Sequence, residues 1–462
     1  MNDFIAAPRL AESLAERLAA RAYTAYSYSY PHKTAYRPLA EPVPLAPLWA
    51  AEKRDALFLY LHIPFCEMRC GFCNLFTMAR PDPELPRRYV AQVLQQMAVT
   101  ADLLGTPKIA RFALGGGTPT YLGMAELEAL LAGTQRHFAV DFGQVPGGVE
   151  VSPETASREK LALLRASGLQ RVSIGVQSFL EAETQTLVRR QPGKQLAATL
   201  ERIRDWGPPT LNLDLIYGIP GQTPASFVAS LKQALDWQPE EIYLYPLYVR
   251  RLTGLDRIAS RHPERYPEIR VQAAANRQRA HLYQAGRDLL LAAGYEQVSM
   301  RMFQRPTGLA VKAPVYCCQE DGMIGLGSGA RSYTQQLHYA SEYAVGRLST
   351  RELIEQYCAR PAEWFTAAHH GIPLDADEQR RRFVIQSLLT QPGLDLTAYA
   401  RRFAGADPLT DFPFLEELQQ AGLLTCNTSL QLTPAGLALS DSIGPKLISP
   451  AVQARMDAYA LS

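Results

Sequence analysis

Nothing in this sequence is apolar for long enough to cross a bilayer. The longest apolar runs, such as LLLAAGY at 289–295, fall far short of the roughly 20 residues that a spanning helix needs. The opening segment, MNDFIAAPRLAESLAERLAARA, has acidic residues and no continuous apolar stretch, so it is not read as a secretory signal. Asp3, Glu12 and Glu16 weigh against a mitochondrial presequence in the same place. Charge of one sign is missing too. The net charge is +2, which gives no ground for expecting a nucleic acid as partner. The single basic cluster, Arg380–Arg382, has the ordinary meaning of a solvated helix face. Cysteine is scarce: seven residues, three of them close together, do not describe a disulfide framework. The expected compartment is reducing and cytoplasmic, with no membrane partner. No sequence repeat is present.

What remains describes an ordinary globular protein. Hydrophobic residues make up 47% and charged residues 20% of 462, enough for one large domain and a smaller one. The organising stretch is LYLHIPFCEMRCGFCNLF, residues 59–76. An apolar, aromatic strand (Leu57 to Ile63) runs into Pro64, and Cys66, Cys70 and Cys73 follow with the spacing CxxxCxxC. Three thiolates so placed can fold around one small inorganic core. Closed zinc sites and standard 4Fe-4S sites want four protein ligands, so three ligands leave one iron with an open position. A zinc site completed by His62 or Cys358, or three merely buried thiols, are the alternatives that spacing leaves open.

Along the chain, Leu10, Leu14 and Leu18 mark a short amphipathic helix. A tyrosine-rich arm (22–39) and a proline-rich connector follow. From 57 to about 247 strands alternate with helices. The expected strands are Leu57–Ile63, Arg111–Leu114, Val149–Val151, Arg171–Ile174, Leu211–Ile216 and Ile242–Leu247. Val90, Val93, Leu94, Met97, Ala101 and Leu104 make one helical stripe between the first two. Six such units imply a partial β/α barrel of parallel strands, with its site at the carboxyl ends of the strands. Polar motifs stand at those ends. Gly115–Gly117 allow a backbone to approach a ligand, and Thr118 adds a hydroxyl. Glu150 closes the third strand. Asp214 lies amid Leu and Ile and needs a partner there. Tyr243, Tyr245 and Tyr248 suit either a large flat pocket or core packing. Residues 268–293 read as a long helix. From about 375 three short helical patterns and a hairpin (LTCNTSLQLTPAG) give the order of a winged helix. The expected division is 1–50 for the helix and arm, 51–340 for the barrel with its extension, and 341–462 for a helical, winged-helix-like domain.

The cysteine spacing, with Phe72 before the third cysteine, is the signature of the radical S-adenosylmethionine enzymes. The longer YLHIPFCEMRCGFC resembles the oxygen-independent coproporphyrinogen III oxidase family in particular. That resemblance implies a 4Fe-4S cluster on Cys66, Cys70 and Cys73, whose open iron is chelated by S-adenosylmethionine. It implies cofactor contacts from Tyr60, Phe72, Gly116, Gly117, Thr118, Glu150, Gln177, Arg189 and Asp214, and a second S-adenosylmethionine at Phe303 and Gln304. An arm covering the active site and a C-terminal winged-helix-like domain are also implied. So are a tetrapyrrole as small-molecule substrate and a one-electron donor such as flavodoxin or ferredoxin. The implied reaction is oxidative decarboxylation of a propionate. Relatives that transfer methyl groups or form cyclopropanes with two S-adenosylmethionine molecules, and relatives that carry heme, give two other readings. GVQSF in place of GVQDF leans toward those branches, whereas the arm leans toward the oxidase. VYCCQED (315–321) replaces the family's His-Asn segment between retained motifs on the substrate side, which puts the porphyrinogen substrate in doubt and leaves Cys317 and Cys318 as reactive, metal-binding or merely buried thiols.

Overall fold

The chain was studied as a computed structural model, which describes residues 12–23, 27–105, 107–264, 266, 269, 272–306 (side chains from 275) and 316–460. Leu10, Asp3, part of the arm, the start of the 268–293 helix and Val315 lie outside the described residues.

Alternation decides the barrel. In Leu57–Ile63, the odd-numbered residues Leu57, Leu59, Leu61 and Ile63 are fully buried, and Phe58 and Tyr60 face the other way. The odd side packs against the helix Glu84–Leu104, whose Val90, Val93, Met97, Ala101 and Leu104 are buried while Leu94 is half-buried at the margin. Local caps start the helices. Ser157 caps Arg158–Ala166 by accepting from the Lys160 amide, and Thr223 forms a capping box with Ser226 ahead of Pro224.

In chain order the main sheet is built from β1 (Arg37–Pro44), β2 (Leu57–Ile63), β3 (Ile109–Gly116), β4 (Gly147–Val151) and β5 (Arg171–Gln177). These are followed by β6 (Thr210–Tyr217), β7 (Glu241–Pro246), β8 (Glu296–Gln297) and β9 (Met302–Gln304). The last four are β10 (Met323–Leu326), β11 (Arg331–Tyr333), β12 (Leu337–Ala340) and β13 (Ala367–Pro373). Their order across the sheet is 1-13-12-11-10-2-3-4-5-6-7-9-8. Strands β2 to β7 run parallel, as expected. A seventh parallel strand, β10, lies on the free side of β2, with Gly325 opposite Tyr60. Four residues with a central glycine carry too little strand signal to be read alone.

The sheet does not end at 340. It continues through β13, which pairs antiparallel with β1 of the arm, Arg37 opposite Gly371 and Pro44 opposite Ala367. The prolines of β1 are tolerated because it is an edge strand. Tyr30 and Tyr36 of the arm are buried in a second core with Ile372, Phe383, Tyr399 and Leu430. That core holds the C-terminal unit: helices Ala376–Leu388, Leu396–Arg402 and Phe414–Gln420, with a small sheet of Leu394–Asp395, Ser429–Leu432 and Leu424–Cys426 in that order.

One buried ion pair ties this unit to the barrel. Arg301 Nη2 donates to both carboxylate oxygens of Asp441 at 2.6 and 2.7 Å, and the Tyr248 hydroxyl donates to the same carboxylate. Tyr248 is thereby committed to structure rather than to a pocket. Breaking such a pair strands a charge in the interior. Asp441→Ala is expected to cost about 3–5 kcal/mol in urea denaturation. Arg301→Met combined with Asp441→Leu should recover most of that loss.

Candidate active site

The cysteine loop is held before any ligand arrives. Past Pro64, Phe65–Cys66 pairs in parallel with Met78–Ala79, closing residues 66–79 into a loop. The Arg80 amide donates to the Cys66 carbonyl at 3.0 Å. At the far side, the Gly71 amide donates to the Leu187 carbonyl at 2.9 Å and the Leu255 amide donates to the Gly71 carbonyl at 2.7 Å. The strap after β3 braces the near side: the Gly117 amide donates to the Ile63 carbonyl and the Thr118 amide to the Phe65 carbonyl, both at 2.7 Å. Gly116 has φ +110 with the His62 ring directly against it, and a Cβ on Gly117 would stand 2.6 Å from the Phe65 carbonyl oxygen and 3.0 Å from Cys66 Sγ. Neither position accepts a side chain.

Burial raises the Cys66 and Cys70 thiols above their ordinary range, with the nearby Cys73 adding to both. A metal would hold them as thiolates. Among the described residues no three His, Cys, Asp or Glu side chains converge closely enough to share a single ion. Three thiols carried by one pinned loop suit separate corners of an iron–sulfur cluster. The zinc alternatives fail on their fourth ligand. Burial depresses His62 to about 4, so its ring is neutral, with Nε2 donating to the Phe76 carbonyl at 3.0 Å and Nδ1 facing the Tyr60 hydroxyl at 3.1 Å. Cys358 ends the helix Arg347–Cys358, with Arg88 and Glu355 as its charged neighbours.

The strand ends bring most of the sequence-read residues around this loop. Glu150 Oε2 accepts from the Gly116 amide at 2.9 Å. Its carboxyl is pushed up to about 7 by the surrounding protein, with Asp214 also raising it, although the exposure of the side chain tempers that push. Asp214 is raised to about 6 by burial, against the Asn212 amide that donates to it at 2.8 Å. Gln177 has φ +64 at a bulge where β5 slips register against β6, which re-aims its side chain. Arg189 is the inward member of its pair, and Arg190 is exposed. Arg189 donates to Cys70 Sγ at 3.1 Å, the Gly175 carbonyl at 2.7 Å and Gln191 Oε1 at 3.0 Å. Phe72 packs beside Leu187, Ile216 and Leu247, next to Tyr245. Tyr243 and Tyr245 stack with centroids 5.7 Å apart.

Three expectations are corrected. Phe303 is wholly buried in the main core, so its side chain packs and does not contact a ligand. Gln304 pairs with Glu241, at the amino end of β7 and away from the cysteines, so the two residues do not form a second cofactor site beside the first. Tyr316 packs on Phe58, at the amino end of β2, with its ring centroid 5.4 Å away. The Cys317–Cys318 segment therefore lies at the barrel end opposite the cluster loop rather than on the substrate side. There the Cys318 carbonyl accepts from Arg382 Nη2 at 2.6 Å. A cavity of about 320 Å³ lined by Gln96, Tyr339, Tyr357, Arg360 and Trp364 contains none of the cofactor residues read from sequence. Sequence reasoning considered His62 only as a zinc ligand and missed Lys33, Arg331 and Tyr343. His62 was legible from its place two residues past the inward Tyr60; the others stand in segments whose long-range partners no local pattern reveals.

The radical SAM superfamily model matches residues 60–234, and the HemN C-terminal domain model matches 374–439. The oxygen-independent coproporphyrinogen III oxidase of Salmonella typhimurium is 28% identical over 454 residues, covering 90% of this chain and 92% of that protein. The heme chaperone HemW of Mycobacterium tuberculosis is 34% identical over 253 residues, 54% of this chain and 63% of that protein. The solved structure of coproporphyrinogen III oxidase (HemN) from Escherichia coli superposes with a TM-score of 0.70 at 24% identity, covering 91% of this chain and 96% of that one. The shared fold includes the parallel barrel strands.

Two outcomes follow from the cradle and the acids. Gly117→Ala should lower both the urea midpoint and the iron bound per chain after reconstitution, because the added methyl collides with the Phe65 carbonyl oxygen and crowds Cys66 Sγ, forcing the loop outward. The second outcome concerns pH. Glu150 titrates higher folded than unfolded, so the folded cluster-free protein holds an extra proton between pH 4.5 and about 7. Its stability should therefore fall as pH rises through that window. Glu150→Gln should flatten the slope above pH 6, leaving below it the contribution of Asp214, which has the same sign.

Proposed function

The chain belongs to the radical SAM superfamily, with a 4Fe-4S cluster and S-adenosylmethionine as its cofactors, and from that membership we propose that it is an oxidase-like enzyme that removes hydrogen from a tetrapyrrole propionate. The observation that carries the reading is the pinned loop of three cysteines at the carboxyl end of a parallel barrel, with an arginine on one sulfur and a carboxylate on the glycine strap. When bound, the reduced cluster and S-adenosylmethionine supply a 5′-deoxyadenosyl radical. The protein's part is to hold and orient. Cys66, Cys70 and Cys73 grip the cluster. Arg189 offers the planar fork that suits the carboxylate of the methionine moiety. Glu150, Gly116, Gly117 and Thr118 line the nucleoside side, and Tyr60 and Gln177 border it. The closing arm limits water at the mouth.

The whole-length similarity to coproporphyrinogen III oxidases supports the oxidase reading. A heme-carrying role is the second reading, supported by the HemW relative at higher identity over a shorter stretch. One assay separates them. Anaerobically reconstituted, reduced protein is given S-adenosylmethionine and coproporphyrinogen III, and carbon dioxide and 5′-deoxyadenosine are measured. Decarboxylation is the expected result, and Cys66→Ala should release neither product. S-adenosylhomocysteine without carbon dioxide would point to methyl transfer. Tight heme binding without turnover would replace the oxidase reading with the carrier.

A further inference from the structure

The arm reaches the site through one turn. Lys33–Ala35 form a 3-10 turn capped by His32, whose Nδ1 accepts from the Thr34 amide at 3.3 Å. The turn sets Lys33 Nζ 3.6 Å from the ring centroid of Tyr343. The Tyr343 hydroxyl in turn donates to the Asn74 carbonyl inside the cysteine loop. Lys33 is thus close enough to Cys73 and to His62 to act on both electrostatically. Arg331 and Arg250 bring further positive charge to the same place, facing His32.

The negative neighbour that acts on Lys33 is the Cys73 sulfur. Among the described residues no carboxylate pairs with Lys33. The barrel acids are engaged elsewhere: Glu150 with the Gly116 amide, Asp214 with Asn212. Burial pushes the Lys33 ammonium down to about 7, and Arg331 pushes the same way. The Tyr343 face returns part of the lost hydration, as a ring does for a cation. A half-buried cation held among other cations remains costly until a negative group joins it.

We propose that Lys33 is a positioning residue for substrate: its ammonium receives an anionic group, a carboxylate or a phosphate, of the molecule processed at the barrel mouth, with Arg331 beside it. This rests on reading the barrel mouth as the reacting site. The arm then contributes recognition as well as cover, and a neutral analogue of the substrate binds poorly.

The test labels the cluster-loaded protein with a trace of an amine-reactive reagent and reads Lys33 modification by mass spectrometry. Chloride, citrate, inorganic pyrophosphate and coproporphyrin III are compared at equal ionic strength. At least one polyanion should slow Lys33 labelling about ten-fold while leaving the exposed Lys53 unchanged. Protection by citrate or coproporphyrin III alone identifies a carboxylate, and protection by pyrophosphate alone identifies a phosphate. Equal labelling under all four conditions overturns the proposal. Protection by the small anions without protection by coproporphyrin III keeps the anchor and removes the tetrapyrrole. Lys33→Arg should retain binding of the protecting anion and Lys33→Met should lose it, with S-adenosylmethionine binding unchanged in both; undiminished anion binding by Lys33→Met also overturns the proposal.

Discussion

Backbone hydrogen bonding around residues 63–80 is the constraint on which the rest depends. Three sulfurs are useful only if their spacing is fixed, and a loop of irregular backbone does not fix itself. Here amides of Gly117 and Thr118 grip the entry, Met78 and Arg80 close the exit, and Gly71 is bonded to carbonyl and amide partners from two other segments. The two glycines of the strap let backbone lie against backbone, where any side chain would force the loop outward. Donors and acceptors are used in pairs, so little polar backbone is left for water.

The interior chemistry sorts by depth. Carboxylates sit inside the barrel, where Arg171 and Glu241 form a 2.8 Å pair near the amino ends of their strands and Asp214 feels both. Positive groups gather at the mouth, carried by the arm and by β11. A molecule entering the barrel therefore crosses from a cationic rim to an acidic interior. Such a gradient orients a ligand before any short contact forms.

The parallel core was legible because its strands are largely apolar and carry their polar motifs toward the carboxyl ends, as in Gly115–Gly117 at the end of β3. The helix starts were legible for the same local reason, in caps such as Ser157 and Thr223. What local pattern could not supply was pairing at long range. Strand β10 is four residues long and finds β2 across more than 260 positions, and β1 carries prolines that argue against a strand anywhere but an edge. Which arginine of the 189–190 pair points inward depends on loop details that no local pattern carries; in the fold it is Arg189, whose partners are Cys70 and two neighbours. Phe303 and Gln304 were placed by motif position alone, and strand register puts them at the wrong end of the barrel. Tyr30 and Tyr36 show the plainer outcome, tyrosines of an arm serving as core.

The adjacency of β10 to β2 has a temporal meaning. Gly329 lies against the His62 ring, and the Tyr89 hydroxyl donates to the His62 carbonyl beside Gly327. The wall behind the cysteines is therefore completed by residues translated some 260 positions after them. A ribosome still occupied with the second half of the chain displays the thiols on an unfinished scaffold. The complete wall is accordingly available to the cysteines only once the chain has been made past β10.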